Sequence, residues 1–534
     1  MKHLYRIGIL VLIPAGLALA QKPRLMPDLP VSSDAPTALT DRAAARFLDQ
    51  ATWGPTQSSI AELEQMGIDA WLGEQFALNT SDLPDQQLLN AAGNTNTNLA
   101  PVQAQFFQNA ATGNDQLRQR VAFALSQIWV VSAVQVTNAY AYPPYWRIFR
   151  DNAFGNYRDI LKAVTLNPAM GSYLSMANNN KANVAKGTSP NENYARELMQ
   201  LFTLGLTKLN LNGTPMVDAN FVPIPSYTQN DVDNNAKLLT GWTYPTAPGA
   251  TPQNNNPAYF IGQMFAVAAE HDTTAKTLLG TIQVPAGQTA DQDLDSLMDA
   301  LMSQPSMAPF VSAQLIQHLV TSNPSPSYIQ RVAEVFTNDG NGVTGNMQAI
   351  ITAILLDPEA RLADDPNATP NPNFGHLREP ILFMASMLRG LNATLGANST
   401  IYSDTSNMSQ NLFYPGSVFS YFSPQNRVEG GLLGPEFQIY STQTVATRMD
   451  LVNSVLYGTL DSSTKVNFAQ FSAAASTGSA NLLNLISRIF LDSSMSPALA
   501  LQATDAVNAV TTPLTKAQAA LYMVLTSGEY QVIH

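Results

Sequence analysis

The chain has 534 residues, no cysteine, only 12% charged residues and a net charge of −12. Lacking cysteine, it can form no disulfide, thiolate nucleophile, zinc–cysteine site, iron–sulfur cluster or covalent c-type haem. It has no Lys/Arg-rich run, so a nucleic-acid partner lacks its electrostatic footing.

Residues 1–20 read as a secretory signal. Lys2, His3 and Arg6 form the basic start, Ile7 to Leu17 the apolar stretch, and Ala18-Leu19-Ala20 the small-residue end. Cleavage before Gln21 removes Lys2 and Arg6 and takes the net charge from −12 to −14. No later run approaches the length of about 18 apolar residues that a membrane span needs, so no transmembrane segment is expected after cleavage. The expected location is the periplasm or the extracellular space. A mature length of roughly 510 residues exceeds what one core usually supports, so several subdomains are expected.

Residues 21–39 are Pro-rich and aperiodic, a flexible leader. Helical spacing starts at Asp41 and continues through Ile60 to Met66 and Ile68 to Phe76, with Gly67 as the break. Leu117, Val121, Ala124, Leu125, Ile128 and Val131 form a 3.6-period stripe, and Pro144 suits the first turn of the helix that follows. Tyr140, Tyr142, Tyr145 and Trp146 could stack on sugar rings, although Trp146 at helical spacing with Phe149 fits a core better.

The segment 189–205 combines a Ser189/Glu192 capping box, Pro190 at the first turn and Gly205 as a left-handed stop. Tyr194, Leu198, Leu201 and Phe202 would be its buried stripe. Further on, Leu294 to Met302, Ser325-Pro326 to Phe336 and Met347 to Leu355 repeat the helical template. Strand signals are few, chiefly Thr277 to Val284. The stretches 244–259 and 392–434 have no period, but the second keeps Phe413, Tyr414, Phe419, Tyr421 and Phe422, which argues for packing. The expected fold is mainly α: a multi-helix globular protein with long irregular loops and at most a small minor sheet. Its expected divisions are 40–243 (helical), 244–290 (loop-rich), 291–391 (helical), 392–440 (packed loop) and 441–534 (helical).

Several segments carry a resemblance: Arg118-Gln-Arg-Val-Ala-Phe-Ala-Leu-Ser-Gln127, Ala153-Phe-Gly-Asn-Tyr-Arg-Asp159, Asn191-Glu-Asn-Tyr-Ala-Arg-Glu197 and Leu239-Thr-Gly-Trp242. His271-Asp272, Leu319-Val-Thr-Ser-Asn-Pro-Ser-Pro326, Asp357-Pro-Glu-Ala-Arg361, Arg378-Glu-Pro380 and Gly434-Pro-Glu-Phe-Gln438 follow in the same order. Together they resemble the large bacterial domain-of-unknown-function family 1800. The resemblance implies an exported protein, often encoded beside a second exported family similar to sulfatases and alkaline phosphatases. It supplies no catalytic residues.

Apart from His3, the histidines are His271, His318, His376 and His534, so histidine chemistry is confined to them. His271, flanked by Glu270 and Asp272 in a loop, is the candidate base or metal ligand, and carboxylates beside it would raise its pKa. His318 suits a partly buried helix position. Chemical economy places Glu197, His271, Asp272 and Arg378 as candidate catalytic residues around one polar cleft, with Asn193, Arg196, Trp242, His376 and Glu379 as candidate binding residues. The metal and any cofactor are left undefined by the sequence. The Gly340–Gly345 pattern Gly-x-Gly-x-x-Gly follows a helix rather than a strand, and the calcium-loop-like Asn338-Asp-Gly-Asn-Gly342 lacks its closing glutamate, so an interhelix turn is expected. Two function classes remain: a non-catalytic binding or assembly protein partnering a neighbouring exported protein, or a secreted hydrolase or lyase acting on an extracellular polymer.

Overall fold

Wherever apolar residues recur every three to four positions, a helix forms. The computed structural model describes residues 39–534 apart from Pro370 and Thr459, so the expected signal and nearly all of the leader lie outside the described residues. The chain is 51% helical, with 22 α-helices among the described residues and only small two-stranded sheets. The Gln57–Met66 and Ile68–Ala77 helices break at Gly67, and Ser325 caps the Pro326–Thr337 helix through a bond from Tyr328 N–H. The hairpin Lys276–Leu278 with Ile282–Val284 confirms the main strand signal. Between the Pro326–Thr337 and Met347–Leu356 helices, Asn338 and Asp339 accept backbone N–H groups of their own turn, as an interhelix turn requires. No helix among the described residues is long and apolar enough to cross a membrane.

A continuous apolar core runs through the described residues, from the Asp41–Ala51 helix to Ile533. Tyr140, Tyr142, Tyr145 and Trp146 are all buried in it, which corrects the idea of a sugar-stacking platform there. The C-terminal end of the described chain returns to residue 376. His376–Leu377 pairs antiparallel with Val532–Ile533, and Gly375, at φ 102°, lets the two backbones approach. A Cβ at Gly375 would lie 2.2 Å from the Ile533 carbonyl oxygen, so only glycine fits.

The segment 189–205 departs from its expected form. The α-helix spans only Asn193–Glu197, with Glu192 at the N-cap and no side-chain cap, and continues as a π-helical stretch Leu198–Thr203. Asn191 N–H donates to Asn179 Oδ1 at 2.7 Å, and Asn179 Nδ2 donates back to the Asn191 carbonyl at 3.2 Å. These bonds hold the preceding chain out of the helix, so the Ser189/Glu192 capping box does not form and Ser189 is exposed. Gly205 does supply the left-handed stop, at φ 71°, and its N–H donates to the Met199 carbonyl. Ser189→Ala should therefore shift stability by no more than about 0.5 kcal/mol. Leu198→Ala, at a fully buried position, should cost about 2–5 kcal/mol. Paired thermal melts check both; equal effects would place the buried stripe elsewhere.

The two aperiodic stretches are packed. Asn256 is buried, donating to the Tyr244 carbonyl and receiving no solvent, while Tyr244 packs edge-on against Phe260. In the second stretch the Phe413 carbonyl accepts Ala133 N–H at 2.8 Å, and the Pro415 carbonyl accepts Ser132 Oγ–H at 2.8 Å. Bound this way, the loop becomes one wall of a cleft.

Candidate functional site

Several parts of the chain, the stretch 206–215 and Asn323 to Ile329 among them, enclose a cleft of about 820 Å³. The end of the Gln116–Ile128 helix brings Gln127, and the π-helical turn brings Gln200, Leu201 and Gly205. The Met307–Leu319 helix turns Phe310, Gln314, Gln317 and His318 toward it. The loop from Val418 to Glu436 closes the far side with Phe419, Phe422 and Arg427. Asn323 pins that loop from both ends of its amide: Nδ2 donates to the Leu433 carbonyl at 2.8 Å, and Leu433 N–H donates to Oδ1 at 2.9 Å. A π-helical turn widens the helix by one residue and often occurs at functional positions.

Beneath the cleft lies a buried ionisable cluster. Glu436, 4% exposed, has Oε1 3.2 Å from His376 Nδ1, while its Oε2 has no partner. Burial pushes Glu436 up to about 8, against the pull of its own backbone N–H and of Arg120. Glu379 is pushed up to about 7 by burial, with Arg120 and the bonds from Gln127 (3.0 Å) and Gln410 acting the other way. Burial and the Arg120 charge depress His376 and His318 to about 3, so both rings stay neutral. Arg120 is fully buried and donates to the His318 backbone carbonyl at 2.5 Å. This contact is met in either direction, by Nδ1–H donating to Oε1 or by a protonated Oε1 donating to Nδ1. Three residues that line the cleft thus hold an unpartnered buried polar atom: Gln127 Oε1, Gln314 Nε2 and Glu436 Oε2.

The residues expected to carry the chemistry are placed differently from one another. His271 is buried, with Nδ1 2.9 Å from the Thr240 carbonyl and Nε2 3.1 Å from Asp293 Oδ2. Both ring nitrogens thus stand at hydrogen-bond distance from oxygens of the protein itself. The carboxylate it meets is Asp293, shared with Lys276 at 2.7 Å, and not its neighbours Glu270 and Asp272. Asp272 turns back to Thr274 N–H at 2.9 Å; it is partly buried, yet its bonds to Thr274 and the Lys276 charge hold it below the usual carboxylate range. Arg378 forms a bidentate pair with Asp49 at 2.7 and 2.6 Å. Glu197 is half-buried, its carboxyl raised by burial, and Oε2 has no partner. No hydrogen bond joins Glu197, His271 and Arg378 to one another among the described residues. Arg196 pairs with Glu192 at 2.8 Å, and Asn193 is exposed beside Asn191. Trp242 is buried in a two-residue strand against Phe265–Ala266. Of the expected set, His376 and Glu379 belong to the cluster under the cleft. Among the described residues no three His, Asp or Glu side chains gather as a metal-binding group.

Arg120, Gln127 and Glu436 were not singled out one by one, yet the segments that carried the resemblance meet here. Residues 118–127, 319–326, 378–380 and 434–438 all contribute to the cleft or the cluster below it. The chain matches the family described as protein of unknown function (DUF1800) over residues 46–532, nearly its whole length, and belongs to that family. No curated protein and no solved structure matches it.

Proposed function

We propose that this chain is an exported binding or assembly protein whose cleft holds a ligand without transforming it. The observation that carries this reading is the cleft itself: pre-formed, and of a volume suited to a small or oligomeric ligand. Its titratable groups suit binding better than turnover. A histidine at about 3 is too weak a base near neutrality, and a carboxyl at about 8 stays protonated there and donates rather than accepts. The signal-like residues 1–20 support export, and the resemblance carried by the motif segments implies a neighbouring exported protein similar to sulfatases and alkaline phosphatases as the partner.

The test uses protein purified from its native host. Mass spectrometry is expected to find the mature N-terminus at Gln21 or its cyclised form; an intact Met1 or Lys2 peptide would sink export. A co-purifying ligand or partner should be lost from Ala313→Trp, which fills the cleft, and unchanged retention would move the binding site elsewhere. A second reading is a secreted hydrolase or lyase acting on an extracellular polymer, supported by Glu436, a cleft-lining residue whose carboxyl burial pushes up to about 8. New reducing or unsaturated ends released by wild type and not by Glu436→Gln would establish it.

A further inference from the structure

Exposed apolar side chains concentrate in one segment of the surface. Of nineteen large ones exposed among the described residues, six fall within the segment 206–226: Leu206, Leu211, Met216, Val217, Phe221 and Val222. Phe221 is 85% exposed, Leu206 65% and Val222 56%. Clustered exposure of this kind marks a surface that is covered in use. We propose that the segment is an arm that seats Phe221 and Val222 in the interfacial layer of a lipid membrane. This is independent of what the cleft holds: the near part of the arm lines the cleft, but residues 216–223 take no part in that lining.

The arm's backbone closes on itself. Lys208 N–H donates to the Ile224 carbonyl at 2.8 Å, Met216 N–H to the Lys208 carbonyl at 2.7 Å, and Ile224 N–H to the Met216 carbonyl at 2.9 Å. Its base is anchored where Leu209 N–H donates at 3.0 Å to Oγ of buried Ser306, the residue ahead of the Met307–Leu319 helix. At the tip, Asp218 N–H donates to the Val222 carbonyl at 2.9 Å and Phe221 N–H to the Asp218 carbonyl at 3.0 Å. Asp218 Oδ1 also accepts Asn220 N–H at 2.8 Å and Val222 N–H at 2.9 Å. This bracket holds Phe221 at φ 63°, a conformation that bulky residues rarely adopt. Such strain persists only where surrounding bonds impose it, and here it keeps an aromatic ring in water.

Three observations name lipid as the occupant. Lys208 and Asp218 are the only charged side chains between Leu206 and Ser226, so the arm is neutral on a chain of net charge −12. It fits hydrocarbon beneath zwitterionic headgroups, and no patch of charge on it would draw a charged partner. A membrane offers the backbone no hydrogen-bond partner, and the tip needs few: four of the five N–H groups of residues 218–222 are bonded internally, and Pro223 has none. The same closure disfavours a protein that adds a strand, since Pro215, Pro223 and Pro225 offer no donors. Six apolar side chains also fall short of the roughly 20–30 residues a side that a stable interface with a second copy would use.

The experiment is flotation of protein purified from its native host with phosphatidylcholine vesicles in about 0.15 M salt. Wild type is expected to float with the vesicles and Phe221→Ser to partition about thirtyfold more weakly. Leu501→Ser, at an exposed apolar position elsewhere, should float as wild type does. Phosphatidylserine added to the vesicles should not strengthen binding, because the chain is acidic. Phe221 is exposed, so Phe221→Ser should melt as wild type does, which separates lost binding from lost folding. Phe221→Trp gives a second measurement: the five native tryptophans are buried, so a blue-shifted emission quenched by brominated acyl chains reports position 221 alone. No flotation, or equal flotation of wild type and Phe221→Ser, overturns the proposal. A dimer, or a protein captured from the native cell envelope, that is lost in Phe221→Ser while vesicles are not bound gives the arm to a protein partner and overturns it as well.

Discussion

Asp49→Ala is expected to lower the folding free energy by about 3–5 kcal/mol, because it leaves a buried guanidinium without its counter-charge. Arg378 is 3% exposed and Asp49 2%, and their two bonds are short and parallel. The third guanidinium contact, Nε to the Tyr530 carbonyl at 2.9 Å, is neutral and cannot replace the carboxylate. The pair also joins distant chain: Asp49 is on the first described helix, and Arg378 N–H donates to the Gln531 carbonyl near the last strand. Burial alone would lower Arg378, but Asp49 outweighs it and holds the charge on. Nearby Asp492, pushed up to about 7 by burial and by Asp49, would ionise more readily once Asp49 is gone and offset part of the loss. The double change Asp49→Leu/Arg378→Met should recover much of the stability that Asp49→Ala loses. Urea denaturation measures all of these, and a loss below about 1 kcal/mol for Asp49→Ala would show that the charge reaches water in the native state.

The second large effect is on pH. Glu379, Glu436 and Asp492 keep protons in the folded protein up to about 7, 8 and 7, whereas in the unfolded chain they lose them near the ordinary carboxylate values. Stability from these groups is complete in acid and falls as pH rises toward their folded values, by about 1.4 kcal/mol per pH unit for each group titrating. His318 and His376 act with the opposite sign. The unfolded chain protonates them below about 6.5 and the folded protein only near 3, so their contribution is lost as pH falls through that window. The two sets oppose each other between about pH 4.5 and 6.5, which places maximum stability in mildly acidic solution. Glu436→Gln should remove about one proton's worth of slope between roughly pH 6.5 and 8. Parallel wild-type and Glu436→Gln curves across that window would mean that Glu436 is ionised in the folded protein.

Helices were legible wherever one face is enough to define them. Leu294, Leu297, Met298 and Leu301 repeat at the helical period, and the Ala290–Met302 helix buries all four. Ser325-Pro326 and Gly67 mark their boundaries because a cap or a positive φ is a property of one or two residues. The same local logic failed at Ser189, where Asn179 offered the backbone a better partner than the helix did. It failed again at His271, because the residues adjacent in sequence point away and Asp293, on a helix that begins later, fills the space.

The cleft lay beyond any local reading. Gln127, Gln314 and Glu436 carry no period or motif of their own chemistry, and their segments are brought together only when three helices and a long loop pack. Composition and periodicity by themselves determined that this protein is mainly helical, cysteine-free and poor in charge, since each of these is a sum over residues or a local repeat, while its family was carried by specific motif segments in a fixed order. Which charges are buried, which protons they keep and where they face a common space were decided only by tertiary packing, because desolvation and pairing act between groups that are distant in the chain.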